Sequence, residues 1–289
     1  MAAFAGVKIG GPNQNPWGWF TELPANEDNA ARHQVGVTPN DIPRTGWTRE
    51  YDNPNVCQLR DYLTENNGIP GLELCEPHEV EKAAKLFHRD GFVAVRDCLS
   101  PELLAEMKAT TDRAIMQAIE SGPPPELRYS IGGSSASRQW FHDDAYCKII
   151  DMPTTTPILE AIFGSSDYLV GGAGGDCALP GAVEYQSLHY DGIWQEPYDA
   201  QGKFTLKDYP VPVVTINFQM CDTDPTNGPI RQIPGTHHSH EPMPSLAEEP
   251  AWMKLSTVCP APAGTGIFRD NRCWCARSNR HPFHLSASR

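Results

Sequence analysis

The chain has 289 residues, with 23 basic against 36 acidic side chains and a formal net charge of -13. That length suits one large β-roll domain with an elaborate N-terminal region, or two small domains. The acidic balance excludes the basic face that nucleic acid requires and the polybasic surface of a protein held on anionic lipid.

Nine cysteines, an odd number with no Cys-x-x-Cys pair, argue against a disulfide framework or a structural zinc site. Reduced thiols and a cytoplasmic location are the expectation. The opening MAAFAGVKIGGPNQNPWGWF lacks the charged and apolar runs of a signal peptide, and no stretch has the length and apolarity of a membrane span. The final Ala287-Ser288-Arg289 is not a peroxisomal address. The partner expected is a small molecule, with neither nucleic acid nor membrane; the sequence leaves oligomeric state open.

In chain order, residues 1–75 form an irregular arm rich in Asn, Pro, Gly and Trp, without sustained period. Trp17, Trp19, Phe20 and Trp47 predict that it lies against the main domain, which is expected to span 76–289. Glu79 to Phe87 predicts a short helix ending near Asp90-Gly91, and Phe92 to Val95 a strand. Ser100-Pro101-Glu102 combines a capping hydroxyl, a first-turn proline and an acid beside the helix dipole. It predicts a helix running to Ser121-Gly122. A further helix is expected from Pro157 to Phe163, closed by Gly164.

From Tyr168 to Phe268 short apolar stretches alternate with turn residues. Val214, Ile216, Phe218 and Met220 alternate with Val213, Thr215, Asn217 and Gln219, giving one apolar and one mixed-to-polar face. Thr215 and Asn217 are candidates for a polar interior. The fold class expected is α+β, mainly β: a β-roll with flanking helices.

The segment carrying chemistry is Glu184 to Gly192 (EYQSLHYDG). Residues two apart on a strand point to one side, so His189 and Asp191 converge. An imidazole, a carboxylate and a later histidine make the facial triad of non-haem iron(II) oxygenases. Alone, the tripeptide reads first as a strand histidine followed by a turn aspartate. A second such pair, His142-Asp143-Asp144, sits where a loop leads into a helix and ranks below it. His237, His238 and His240 read as a solvated loop cluster beyond the Asn227-Gly228 and Pro234-Gly235 turns.

Four segments in order, Phe87 to Leu99 (FHRDGFVAVRDCL), Tyr185 to Asp191, Asn227 to His237 (NGPIRQIPGTH) and Gly264 to Trp274, resemble the phytanoyl-CoA dioxygenase family. The resemblance covers about 77–274. It implies a double-stranded β-helix (jelly roll, cupin-like) and an oxidation using Fe(II), 2-oxoglutarate and dioxygen. His189 and Asp191 would then be metal ligands. Gln186, which recurs in the family pattern, joins Thr215 and Asn217 as a candidate cosubstrate contact.

After Trp274 the family pattern continues with the third ligand, a histidine, and later with an arginine that clamps 2-oxoglutarate. Here Cys275 stands at the histidine position, and the tail to Arg289 matches nothing in the pattern. Three readings stand. The tail derives from a shifted frame or alternative exon, leaving the last strand incomplete and a sheet edge open. Or His281 or His284 reaches back to the iron, with Arg280 or Arg289 as the clamp. Or Cys275 itself binds the metal, although a thiolate prefers softer ions. The first is preferred, because a histidine displaced by six or nine residues must meet a geometry with little tolerance. It leaves a catalytically inactive roll, binding without chemistry, as the alternative function.

Overall fold

A computed structural model describes residues 72–120, 129–132, 143–177, 185–191, 208–223, 229–239, 244, 252, 255–278 and 283–288. Among these, the helices gather on one side of a large sheet.

Helix α1 (Val80–Asp90) buries Ala83, Ala84, Leu86 and Phe87 and stops at Gly91. Gly91 takes φ +88°, a left-handed conformation that costs glycine nothing, and its N–H donates to Phe87 O at 2.7 Å. The chain then enters strand β2 (Phe92–Val95), which pairs in parallel with the short β1 (Leu74–Cys75). Helix α2 (Pro101–Glu120) begins where Ser100 Oγ accepts from Leu103 N at 3.2 Å. Short helix α3 (Asp144–Cys147) is capped by the Asp143 carboxylate, which accepts from Ala145 N. That gives the second His-x-Asp segment a structural task at Asp143; His142 lies outside the described residues. Helix α4 (Thr156–Phe163) closes at Gly164, as the sequence predicts.

The remaining strands are β3 (Tyr129–Gly132), β4 (Leu169–Cys177), β5 (Tyr185–His189), β6 (Val213–Phe218), β7 (Ile230–Gln232), β8 (Thr257–Val258), β9 (Gly266–Asp270), β10 (Cys275–Ser278) and β11 (Phe283–Ser288). They form a seven-stranded sheet, order β1-β2-β9-β6-β11-β4-β3, and a four-stranded sheet, order β5-β10-β7-β8. The sequence leads one to expect an unfinished last strand and an open edge. Instead, residues 283–288 pair antiparallel with both β4 and β6.

Alternation along β2, β6 and β9 divides the large sheet. Val93, Val95, Val214, Ile216, Phe218 and Phe268 join Phe87, Met107, Ile158 and Leu159 from the helices in one core. Burying each Phe contributes roughly 1.5–3 kcal/mol, so this face dominates stability. The opposite face carries Thr215, Asn217, Ile267 and Arg269 and turns toward the small sheet, where Arg269 meets Cys275 of β10.

Candidate active site

Strand β5 ends at His189, and the next bend brings Asp191 back. Asp191 N–H donates to Asn271 O at 3.0 Å, fixing the bend to the turn after β9. His189 Nε2 then lies 3.6 Å from Asp191 Oδ1. The predicted pair therefore converges, through a bend anchored on Asn271 rather than through regular strand alternation. Thr215 supports the anchor, its hydroxyl donating to Asn271 Oδ1 at 2.7 Å.

The turn itself is rigid. Asp270 and Arg272, both essentially buried, pair through Nη2–Oδ2 at 2.6 Å and Nε–Oδ1 at 2.9 Å, and Arg272 Nη1 donates to Tyr209 O. This reversal sets β10 beside β5 with Cys275 in register opposite His189. Cys275 Sγ is 3.7 Å from His189 Nε2. One residue before it, Trp274 is fully buried and packs edge-on against Trp252. Nearby Cys273 is held neutral, burial pushing its thiol up to about 12.

Arg269 ties the parts together from the large sheet. It is 2 % exposed. Its Nε donates to Asn217 Oδ1 at 2.9 Å, its Nη2 pairs with Asp191 Oδ2, and its Nη1 lies 3.7 Å from Cys275 Sγ. Burial works against the guanidinium charge, but Asp191 and Cys275 beside it outweigh that, and its pKa moves up. The carboxylate thus gives one oxygen to arginine and keeps the other toward His189.

Of the predicted cosubstrate contacts, Asn217 and Thr215 lie on the inner face in these bonds. The Asn217 amide nitrogen, fully buried, has no hydrogen-bond partner. Gln186 lies in β5 with its backbone opposite Arg277; its side chain is outside the described residues. Also outside them are Trp194, His240, Arg280, His281 and Arg289. The backbone of His284 lies in β11, in register with Asn217.

The expected solvated histidine cluster is half corrected. His237 is 1 % exposed, its Nε2 3.1 Å from His88 O, and burial lowers its pKa to about 4. The loop folds inward because Gly235, at φ +80°, donates its N–H to Asp90 O and seats the following turn against α1. Sequence reasoning missed Arg269, Asn271 and Gln232. Arg269 left one signal: a charge amid Gly-Ile-Phe-Arg-Asp, a strand otherwise reading as buried.

A family model for phytanoyl-CoA dioxygenase (PhyH) matches residues 87–257. This chain belongs to that family. The PhyH chain is similar in structure to the non-haem alpha-ketoglutarate-dependent epimerase SnoN from nogalamycin biosynthesis, with TM-score 0.53 and 18 % identity over 73 % of this chain and 81 % of that one. SnoN in complex with Fe3+, alpha-ketoglutarate and nogalamycin RO gives 0.51 and 18 %, over 73 % and 83 %. AviO1 from Streptomyces viridochromogenes Tue57 gives 0.54 and 15 %, over 73 % and 95 %. A comparison with curated proteins found no match. Family and neighbours together give the PhyH chain a cupin-like jelly-roll fold.

Among the described residues, no group of three or more His, Cys, Asp or Glu side chains is arranged to hold a metal ion. No described helix is long and apolar enough to cross a membrane. The donor chemistry fits iron(II) at two corners, an imidazole nitrogen and a carboxylate oxygen, with the Asp191–Arg269 bond serving as an outer support of the carboxylate. The thiol beside His189 does not extend that set toward a hard ion.

Proposed function

We propose that this chain is an Fe(II)- and 2-oxoglutarate-dependent dioxygenase, built on a double-stranded β-helix, that hydroxylates a small organic substrate. The observation supporting it is the convergence of His189 Nε2 and Asp191 Oδ1, in a chain of the PhyH family. His189 and Asp191 would hold the iron. When bound, the metal and oxo acid supply the oxidation of a C–H bond by dioxygen. The chain's own share is placement. Asn271 fixes the Asp191 backbone, and Arg269 takes one carboxylate oxygen and leaves the other toward His189. Thr215, Asn217 and Gln186 would stand along the oxo acid, and fully buried Trp274 excludes water behind Cys275. Cys75, Cys98, Cys259, Cys273 and Cys275 carry free, buried thiols, which suits a cytoplasmic enzyme.

Anaerobic calorimetry with Fe(II), then 2-oxoglutarate, tests the reading. Iron-dependent binding of the oxo acid is expected, and its loss in His189→Ala. Cys275→His should tighten Fe(II) binding by about tenfold or more, since imidazole suits the ion better than a thiol. Absence of both binding events in the wild-type chain sinks the proposal. The second reading, a roll that binds without chemistry, is favoured by the Cys275 position and by the guanidinium already paired with Asp191.

A further inference from the structure

The four-stranded sheet sets His189, Cys275 and Gln232 in one cross-strand row, through the β5–β10 and β10–β7 registers. Directly opposed residues of antiparallel strands share a face. Cys275 Sγ lies 3.7 Å from both His189 Nε2 and Arg269 Nη1, which identifies that face as the one lining the site. Gln232 therefore stands in the same space. It is fully buried, and neither Oε1 nor Nε2 has a hydrogen-bond partner. On the large sheet, Asn217 Oδ1 accepts from Arg269 Nε and its Nδ2, also fully buried, is left unpaired.

An unmet buried amide destabilises the fold, whereas an apolar side chain of the same shape costs nearly nothing. Two such amides, Asn217 bonded to Arg269 and Gln232 in register with Cys275, read as a binding device held at the expense of stability. Their free groups are four N–H donors against one acceptor, Gln232 Oε1. The complement of a donor surplus is a group that only accepts, and a carboxylate is such a group. Arg269 is committed to Asp191, Asn217 and Cys275, so it does not supply this function alone.

We infer that Gln232 and Asn217 form a neutral amide clamp for a carboxylate, the distal carboxylate of 2-oxoglutarate, in place of a charged arginine clamp. This assignment of the carboxylate's source rests on the oxygenase reading above; an organic-acid substrate offers the same chemistry. The test compares the wild-type chain, Gln232→Met and Gln232→Glu by calorimetry under nitrogen. The Fe(II)-loaded chain is titrated with 2-oxoglutarate and with 2-oxobutyrate, which lacks the distal carboxylate; the iron-free chain is titrated with glutarate.

Gln232→Met is expected to weaken 2-oxoglutarate by about tenfold or more while leaving 2-oxobutyrate unchanged. Gln232→Glu should abolish 2-oxoglutarate binding near neutral pH, by setting a carboxylate against a carboxylate, and serves as the second variant should Gln232→Met not fold. Urea unfolding should show Gln232→Met at least as stable as wild type, the opposite of a structural role. Glutarate binding that depends on Gln232, with 2-oxoglutarate unaffected or Fe(II) not bound, keeps the clamp and assigns it to a substrate acid. Binding of 2-oxoglutarate that ignores Gln232, with glutarate unbound or equally indifferent, overturns the clamp and leaves the iron reading standing. No binding of any carboxylate to the wild-type chain overturns the clamp, and Fe(II) binding judged by His189→Ala separates that from failure of the metal site.

Discussion

The two faces of the large sheet follow opposite rules. On the helix side Val214, Ile216, Phe218 and Phe268 pack with the helices and leave nothing polar to satisfy. On the inner side, their sequence neighbours Thr215, Asn217 and Arg269 are equally buried but engaged in directed bonds, Thr215 to Asn271 and Arg269 to Asn217, and Asn217 is left with an unmet donor. One strand thus serves as scaffold with its even positions and as site with its odd ones. Burial by itself does not distinguish the two; what separates them is whether the buried groups are mutually complete.

The division is broken most directly at Phe218. Phe218→Ala should cost about 3–5 kcal/mol in urea unfolding, more than any single inner-face change, through lost burial and an unfilled cavity. A smaller loss than that of Arg269→Met would refute the assignment of stability to the helix side. Next is the edge where the helices meet the turn after β7. His237 stays neutral in the folded chain down to about pH 4 but takes a proton near its ordinary value of about 6.5 once unfolded. The unfolded state then binds more protons, so stability is full above about pH 6.5 and falls as pH drops toward 4, by roughly 3 kcal/mol. His237→Gln should flatten that part of a stability–pH curve, and an unchanged slope would place the acid sensitivity elsewhere.

On the inner face, Arg269→Met should destabilise by about 2 kcal/mol, the loss of charged hydrogen bonds to a half-exposed carboxylate. It should also weaken Fe(II) binding in calorimetry, because Asp191 loses its support. Thr215→Val should cost least, about 1 kcal/mol for one hydroxyl bond, read by the same unfolding. If Thr215→Val left stability intact but disturbed Fe(II) affinity, the Asn271 anchor would belong wholly to the site.

Much of the scaffold is legible in the sequence because local physics writes it there. Gly91 and Gly164 end helices at left-handed positions, Ser100 opens one, and the period of two through β6 names both faces. The spacing of His189 and Asp191 names the pair, but a bend held by distant Asn271, and not strand alternation, brings the two side chains near each other. The rest is set by contacts distant in sequence. Nothing near Arg269 announces Asp191, and nothing near Gln232 announces Cys275; the registers that join them exist only once the sheets have formed. His237 misleads because a histidine beyond a Pro-Gly turn resembles surface until α1 covers it. The tail misleads in another way: a segment without the expected motif still supplies backbone for a strand, since pairing needs N–H and C=O groups before it needs particular side chains.

That last strand has a consequence for how the molecule is made. β11 lies between β4 and β6, so two strands synthesised much earlier wait for residues 283–288 before they are joined. The large sheet is divided until then, with few local contacts to hold its halves in place. Folding should be governed by this late, long-range closure, slow by the standards of helical domains. During that interval the separated strands are open to pairing with other chains, and a holding chaperone would act on this exposed intermediate rather than on the finished roll.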